Sequence, residues 1–283
     1  MYPILADFGI PLHMYGLMIA IGFLIVVNLI QRDARPLGIS ADDISSMSFG
    51  VLFWGVAGTR LLHIIMFPQD YSWNDPIGWI ALWNGGLVFQ GAIPAAILYA
   101  WLAMRKRGIP FWVMPDIVMP YVPIAQAFGR MGCFFNGCCY GVPSAMPWAL
   151  SFPPGSPVAG GHPGILGSGW SMPVHPTQLY SVVLLLGMAA LMIFLRGRWR
   201  PFLGYMFPLY FILYGIKRFI VECFRGDGNP TDLGFGVLSN QQVFCIGFVI
   251  FGAALFAYMW KHPPRPVWPG VGGKPKAEPA KAA

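Results

Sequence analysis

The chain has 283 residues, 56% of them hydrophobic and only 10% charged, and its mean hydropathy is +0.59. A soluble domain carries about 25% charged residues, so this composition excludes an ordinary soluble globular protein and predicts an integral membrane protein. Lysines and arginines number 18 against 11 acidic residues, for a net charge of +7; their placement between apolar runs, described next, points to membrane topology and against nucleic-acid binding.

A window of about 20 residues predicts roughly seven transmembrane helices in an all-α fold. In chain order they are Pro11–Ile30, Ile44–Phe67, Gly85–Met104, Phe111–Phe128, Thr177–Leu195, Phe202–Phe224 and Leu238–Trp260. Met1–His13 has no basic n-region and no small-residue cleavage site follows the first span, so that span is expected to be retained. Pro115, Pro120 and Pro123 interrupt the fourth, which is expected to be kinked or partly re-entrant. Thirteen basic residues follow the odd-numbered spans: Arg32 and Arg35; Arg105, Lys106 and Arg107; Arg196, Arg198 and Arg200; and Lys261, Arg265, Lys274, Lys276 and Lys281. The alternate loops Pro68–Asn84, Gly141–Pro176 and Gly226–Gly236 contain none. The positive-inside rule then places the N-terminus outside and the C-terminus in the cytoplasm. Residues 1–262 are expected to form one polytopic membrane domain. Its Pro/Gly-rich loop 141–176 is a small cap on the outer, periplasmic side, and residues 263–283 are a disordered cytoplasmic tail.

Five basic residues remain, Arg60, Arg130, Lys217, Arg218 and Arg225, all inside predicted spans or at their outer ends. Charges there are costly and mark either function or a structural pair. Arg130 lies in Gly129–Gly141, where four glycines, an asparagine and three cysteines surround it. Guanidinium groups bind phosphate through paired hydrogen bonds, and glycines allow close backbone approach. On the sixth span, Arg218 and Glu222 are four residues apart and Glu222 and Arg225 three, so they share a face with Tyr214 one turn earlier. That pattern fits a helix-end ion-pair ladder or an anion clamp in which Glu222 holds Arg218 toward a ligand. Asp116, alone in an apolar span, needs a cationic partner such as Arg60 or Lys217. Gln90, among the glycines of Asn84–Gly91, is an interhelical hydrogen-bonding residue or part of a backbone-lined pocket. His175, in His175–Tyr180, is a helix cap or a base, and His63 carries the same ambiguity. Cys133, Cys138 and Cys139 leave open a disulfide, buried thiols or redox-active sulfur; their spacing is no standard zinc pattern, and no metal is expected.

These residues resemble the bacterial prolipoprotein diacylglyceryl transferases, from Tyr15-Gly16 to Gln242. The family signature Gly-Arg-x-Gly-Asn-Phe-x-Asn-Gly-Glu-x-x-Gly is matched by Gly129, Arg130, Gly132, Phe134, Asn136, Gly137 and Gly141. His175–Tyr180 matches a His-Pro-x-Gln-Leu-Tyr element, and Tyr214, Arg218, Glu222, Arg225, Asp116, Arg60 and Tyr15 agree as well. The chain departs from the pattern at Gln90, where the family has histidine, at Cys133 and Cys138, where it has asparagine and glutamate, and at Ser181, where glutamate is frequent.

The resemblance implies transfer of the diacylglyceryl group of phosphatidylglycerol to the lipobox cysteine of a preprolipoprotein, in the bacterial inner membrane with the site open to the periplasm. It further implies Arg130 and Arg218 as catalytic. Gln90 would orient the headgroup and His175 or solvent would take the proton. Tyr15, Arg60, Asp116, Asn136, Gly141, Tyr214, Glu222 and Arg225 would bind substrate, with no cofactor and a monomeric enzyme. Two alternatives follow from the departures: a family-fold protein with altered or lost activity, and a membrane thiol oxidoreductase using the three clustered cysteines.

Overall fold

The computed structural model describes residues 4–7, 11–71, 75, 78–80, 86, 88, 91–164, 169–226 and 238–264. These are predominantly helical. A short antiparallel hairpin, β1 (Ile4–Asp7) and β2 (Pro11–His13), leads directly into α1 (Met14–Ala34), and α2 spans Ala41–Met66. After them come α3 (Ala92–Lys106), α4 (Val113–Val118), α5 (Val122–Asn136) and the short α6 (Pro157–Gly161). The last three are α7 (Thr177–Arg198), α8 (Met206–Glu222) and α9 (Asn240–Lys261). Four of these, α1 with the turn that follows it, α2, α7 and α9, are long and apolar enough to cross a membrane. The remaining predicted spans hold shorter helices of 15 residues in α3, 15 in α5 and 17 in α8.

Local chemistry explains the boundaries. Ser40 caps α2 by accepting from the Asp43 N–H at 3.0 Å, and Ser239 with Gln242 forms a reciprocal capping box on α9. The fourth predicted span divides as its prolines require. α4 ends before Pro120, and α5 begins beside Pro123, a position where the missing N–H costs nothing. One expectation is corrected here: the glycines of Gly129–Gly141 do not all leave the backbone open to close approach. α5 runs on to Asn136, so Gly129 and Gly132 are helical and their N–H groups lie within the helical ladder. The helix stops at Gly137, at φ 67°, with the Gly137 N–H donating to Phe134 O at 3.2 Å and the Cys138 N–H to Cys133 O at 3.1 Å. That is the Schellman arrangement.

Contacts divide the described chain into two units. The first contains the residues up to Leu29 and those from Pro115 onward. In it α8 packs along α9 and α5 along α7. The α8–α9 approach is close enough that a Cβ on Gly215 would lie 2.8 Å from Cys245 O, and one on Gly252 would lie 2.8 Å from Pro208 O. Small residues at such crossings let helix backbones meet. Loop 141–176 carries its own apolar core of Phe152, Val158 and Val174, joined by Tyr140. Bridges Pro143–Val174, Leu150–Val174 and Pro163–Ser171 cross-link it, and Phe152 N–H donates to Ser171 Oγ at 2.8 Å.

The second unit, Ile30–Met114, is built on α2 and α3. Asp43 and Arg107 pair at 2.8 Å at one end of it. An apolar groove of about 1160 Å³ runs between the two helices, lined among others by Trp54, Leu62, Leu98 and Leu102 and ending at Lys106 and Arg107.

Candidate active site

The first unit gathers most of the expected site residues at one junction. Three short backbone segments lie side by side there. The Val142 N–H donates to Phe224 O at 3.0 Å and the Gly226 N–H to Tyr140 O at 3.1 Å. On the other side, the Gly141 N–H donates to His175 O and the His175 N–H to Val142 O, each at 3.0 Å. The end of α5, the start of α7 and the end of α8 are thereby tied together. Gly141 is the centre of this arrangement: a Cβ there would lie 2.6 Å from both His175 Cβ and Phe224 O. Its N–H is engaged and its surface buried, so Gly141 positions the three segments.

The charges that converge here are Arg130 from α5, Lys217 and Arg218 from α8, and Arg225 just beyond it. They lie within electrostatic range of one another, and Glu222 is the carboxylate among them. Arg218 Nη2 lies 2.9 Å from Glu222 Oε2 and Arg225 Nη1 lies 3.9 Å from the same oxygen. The helical spacing read from sequence thus forms the expected ladder, and Glu222 is nearly enclosed by it, with 7% of its side chain exposed. Lys217 is buried and stands 5.8 Å from the Tyr214 ring centroid. Arg130 makes no hydrogen bond or ion pair with another described residue, so its planar set of donors is open to an anion. Three guanidinium groups, two of them paired with Glu222, leave an excess positive charge around one carboxylate. Such an arrangement can hold an anion through paired hydrogen bonds.

The neighbours of this cluster are also expected site residues. Tyr15, at the start of α1, packs against Gly132, where a Cβ would sit 2.9 Å from the tyrosine ring, and lies within electrostatic range of Arg130. Asn136 is exposed at the end of α5, in hydrogen-bond contact with Cys138. Tyr214 stacks on Tyr210, with ring centroids 5.6 Å apart, and the Tyr210 hydroxyl accepts from Gln126 Nε2 at 2.8 Å.

His175 sits beside Phe224, ring centroids 5.4 Å apart. Its Nδ1 is 2.9 Å from the Tyr180 hydroxyl, which accepts from Trp148 Nε1 at 2.7 Å. Tyr180 therefore fixes the ring and leaves Nε2 as the nitrogen available to a substrate. Two residues of the same motif that the sequence reading gave no role prove important for shape. Thr177 Oγ1 donates to Cys139 O at 2.7 Å and Gln178 Nε2 to Cys138 O at 2.8 Å. Gln178 is fully buried. Their signal in the sequence was a polar pair opening an otherwise apolar helix.

All five cysteines are free thiols. The expectation that no ligand cluster exists is corrected: the Sγ atoms of Cys133, Cys138 and Cys139 all lie within 4.8 Å of one another. Linear spacing missed this because the helix end folds the later pair back over the first. Hydrogen bonds from Cys133 and Cys138, together with the nearby Arg130 and Arg225, hold the Cys139 thiol below the ordinary thiol range.

Two other site residues behave differently from expectation. Asp116 pairs with neither Arg60 nor Lys217. Its carboxylate accepts from the Gly204 N–H at 2.7 Å and the Met206 N–H at 3.1 Å, capping the start of α8. Orphan N–H groups and the positive pole of a helix receive the carboxylate directly, with Arg200 and Arg196 within electrostatic range. Arg60, in the second unit, is 8% exposed. It donates through Nε to Trp79 O at 3.0 Å, through Nη1 to Gly86 O at 2.9 Å and through Nη2 to Gly78 O, and it lies 4.9 Å from the Tyr71 ring centroid. Its Nε and both Nη atoms thus serve loop carbonyls. Gln90 lies outside the described residues.

A family model described as prolipoprotein diacylglyceryl transferase matches residues 3–258. The chain is 34% identical over 259 residues to a phosphatidylglycerol–prolipoprotein diacylglyceryl transferase of Clostridium tetani, covering 90% of this chain and 97% of the relative. It is 31% identical to one of Geobacter sulfurreducens, covering 85% and 88%, and 32% identical to one of Methylococcus capsulatus, covering 90% and 94%. With the family motifs assembled at one junction and the match running nearly end to end, the chain belongs to the prolipoprotein diacylglyceryl transferase family.

Proposed function

We propose that this protein transfers the diacylglyceryl group of phosphatidylglycerol to the lipobox cysteine of a preprolipoprotein. The observation that carries the reading is the excess of cations around Glu222, with Arg130 free to bind, in a chain of this family. The lipobox sulfur attacks the glyceryl sp³ carbon, a C–S bond forms, and the C–O bond to phosphate breaks. Glycerol phosphate leaves with the electron pair, and the thiol proton passes to a base. Charge accumulates on the departing phosphate, so donors fixed at that oxygen lower the barrier most. Arg130 and Arg218 fill this role: Glu222 orients Arg218, and the planar guanidinium matches two phosphate oxygens at once.

The incoming thiol is already partly ionised near neutral pH. His175 receives the proton at Nε2, which requires Nδ1 to carry a hydrogen donated to the Tyr180 oxygen. Gln90 orients the headgroup, and Tyr15, Asn136, Tyr214 and Arg225 line the anion site. The seven-span arrangement, N-terminus out, is supported by basic residues confined to alternate loops. It puts the junction and loop 141–176 on the periplasmic side of the inner membrane, where that loop receives the lipobox region. Both clamp arginines come from one chain, which supports a monomeric enzyme.

Complementation of a strain depleted of its own transferase tests the reading, with mass spectrometry of a prolipoprotein. A diacylglyceryl thioether on the lipobox cysteine is expected. An inserted protein that yields none sinks the proposal.

A further inference from the structure

We propose that Cys133, Cys138 and Cys139 form a three-thiolate site for a soft, thiophilic d¹⁰ ion, Cu(I). Their sulfurs lie within 4.8 Å of one another. Thiolates bound to one metal at about 2.3 Å stand roughly 4 Å apart, whereas a disulfide requires about 2.05 Å between two sulfurs and leaves the third unused. Three convergent sulfurs therefore stand closer to a trigonal metal site than to a bonded pair.

The scaffold that presents them is rigid. Cys133 comes from the last turn of α5, and the Schellman closure brings Cys138 and Cys139 back over it. Cys139 takes φ 60°, and no other described non-glycine residue has a positive φ. That conformation is sterically disfavoured for an L-residue. It persists because Thr177 and Gln178, both buried, bind the carbonyls of Cys139 and Cys138. A thiol is thus held where a glycine would sit without strain, and held beside two others.

Donor chemistry selects the ion. All three donors are thiols, and no His, Asp or Glu joins the group among the described residues. Zn(II) structural sites take four ligands, while soft sulfur sets favour Cu(I). Binding replaces up to three thiol protons, released to solvent, with no change in oxidation state. The resulting Cu(I)–trithiolate centre carries two negative charges, and Arg130 and Arg225 stand close enough to offset them. Where the family has asparagine and glutamate, this chain has gained sulfur at two of the three positions.

The test uses full-length, reduced protein in detergent under anaerobic conditions, titrated with Cu(I) buffered by bicinchoninate. One Cu(I) per chain is expected, with a thiolate-to-copper charge-transfer band in the ultraviolet. Cys133→Ser, Cys138→Ser and Cys139→Ser should each weaken binding by at least about tenfold, and Cys245→Ser should leave it unchanged. X-ray absorption at the copper edge of the wild-type protein, which depends on no variant, should find three sulfur neighbours. Binding retained by the triple serine variant, fewer than three sulfur neighbours, or no Cu(I) held by the wild-type protein would each overturn the site.

Discussion

Two arginines inside apolar helices, Arg60 and Arg130, looked alike in the sequence and serve opposite ends in the two units. Arg60 has its Nε and both Nη atoms engaged with the carbonyls of Trp79, Gly86 and Gly78. Arg130 has no described hydrogen-bond or ion-pair partner and stands among Lys217, Arg218 and Arg225. A buried guanidinium is thus not in itself a sign of a ligand site. The question is whether the protein's own acceptors already use its donors.

The largest effect that can break this comparison is expected at Arg218. Arg218→Ala should lower the rate of transfer by about 10²–10³-fold, and Arg218→Lys should rescue little, since an ammonium is a point charge without the planar fork. Initial rates with phosphatidylglycerol and a lipobox peptide check this. Glu222→Gln removes the orienting partner rather than the clamp itself, so a smaller loss, about 10–100-fold, is expected in the same assay. Gly141→Ala probes the junction without touching a charge. Overpacking against His175 and Phe224 should cost about 1–3 kcal/mol, read as a lower midpoint in thermal unfolding in detergent. Tyr180→Phe should have the smallest effect, a loss of roughly fivefold from the hydrogen bond to His175, the bond from Trp148 being lost with it. It should be accompanied by a displaced pH–rate profile if His175 takes the proton.

Hydropathy alone located the long helices, because α1, α2, α7 and α9 are apolar over the length a bilayer requires. The Arg218–Glu222–Arg225 ladder was legible for a similar reason: helical spacing fixes which side chains meet. What periodicity could not show was long-range hydrogen bonding. Asp116 found backbone N–H groups 88 and 90 residues away rather than Arg60 or Lys217, and Arg60 found loop carbonyls 18 to 26 residues away. Both alternatives use backbone groups, which every residue has and no composition signals. The glycines of the signature misled for another reason. Gly129 and Gly132 are helical, Gly132 being small so that Tyr15 can approach, and only Gly137 takes the left-handed conformation that a turn demands. The thiol cluster was illegible because the αL backbone at Cys139, not sequence spacing, closes it.

The contrast between the two arginines is tested most directly by glycerol phosphate release from phosphatidylglycerol, measured per folded molecule for Arg130→Ala and Arg60→Ala. Arg130→Ala is expected to keep its unfolding midpoint and to lose release by at least about 10²-fold. Arg60→Ala should lose stability, about 1–3 kcal/mol for each carbonyl left unsatisfied, while its folded fraction continues to release product. Undiminished release by Arg130→Ala would show that Arg130 does not hold the phosphate.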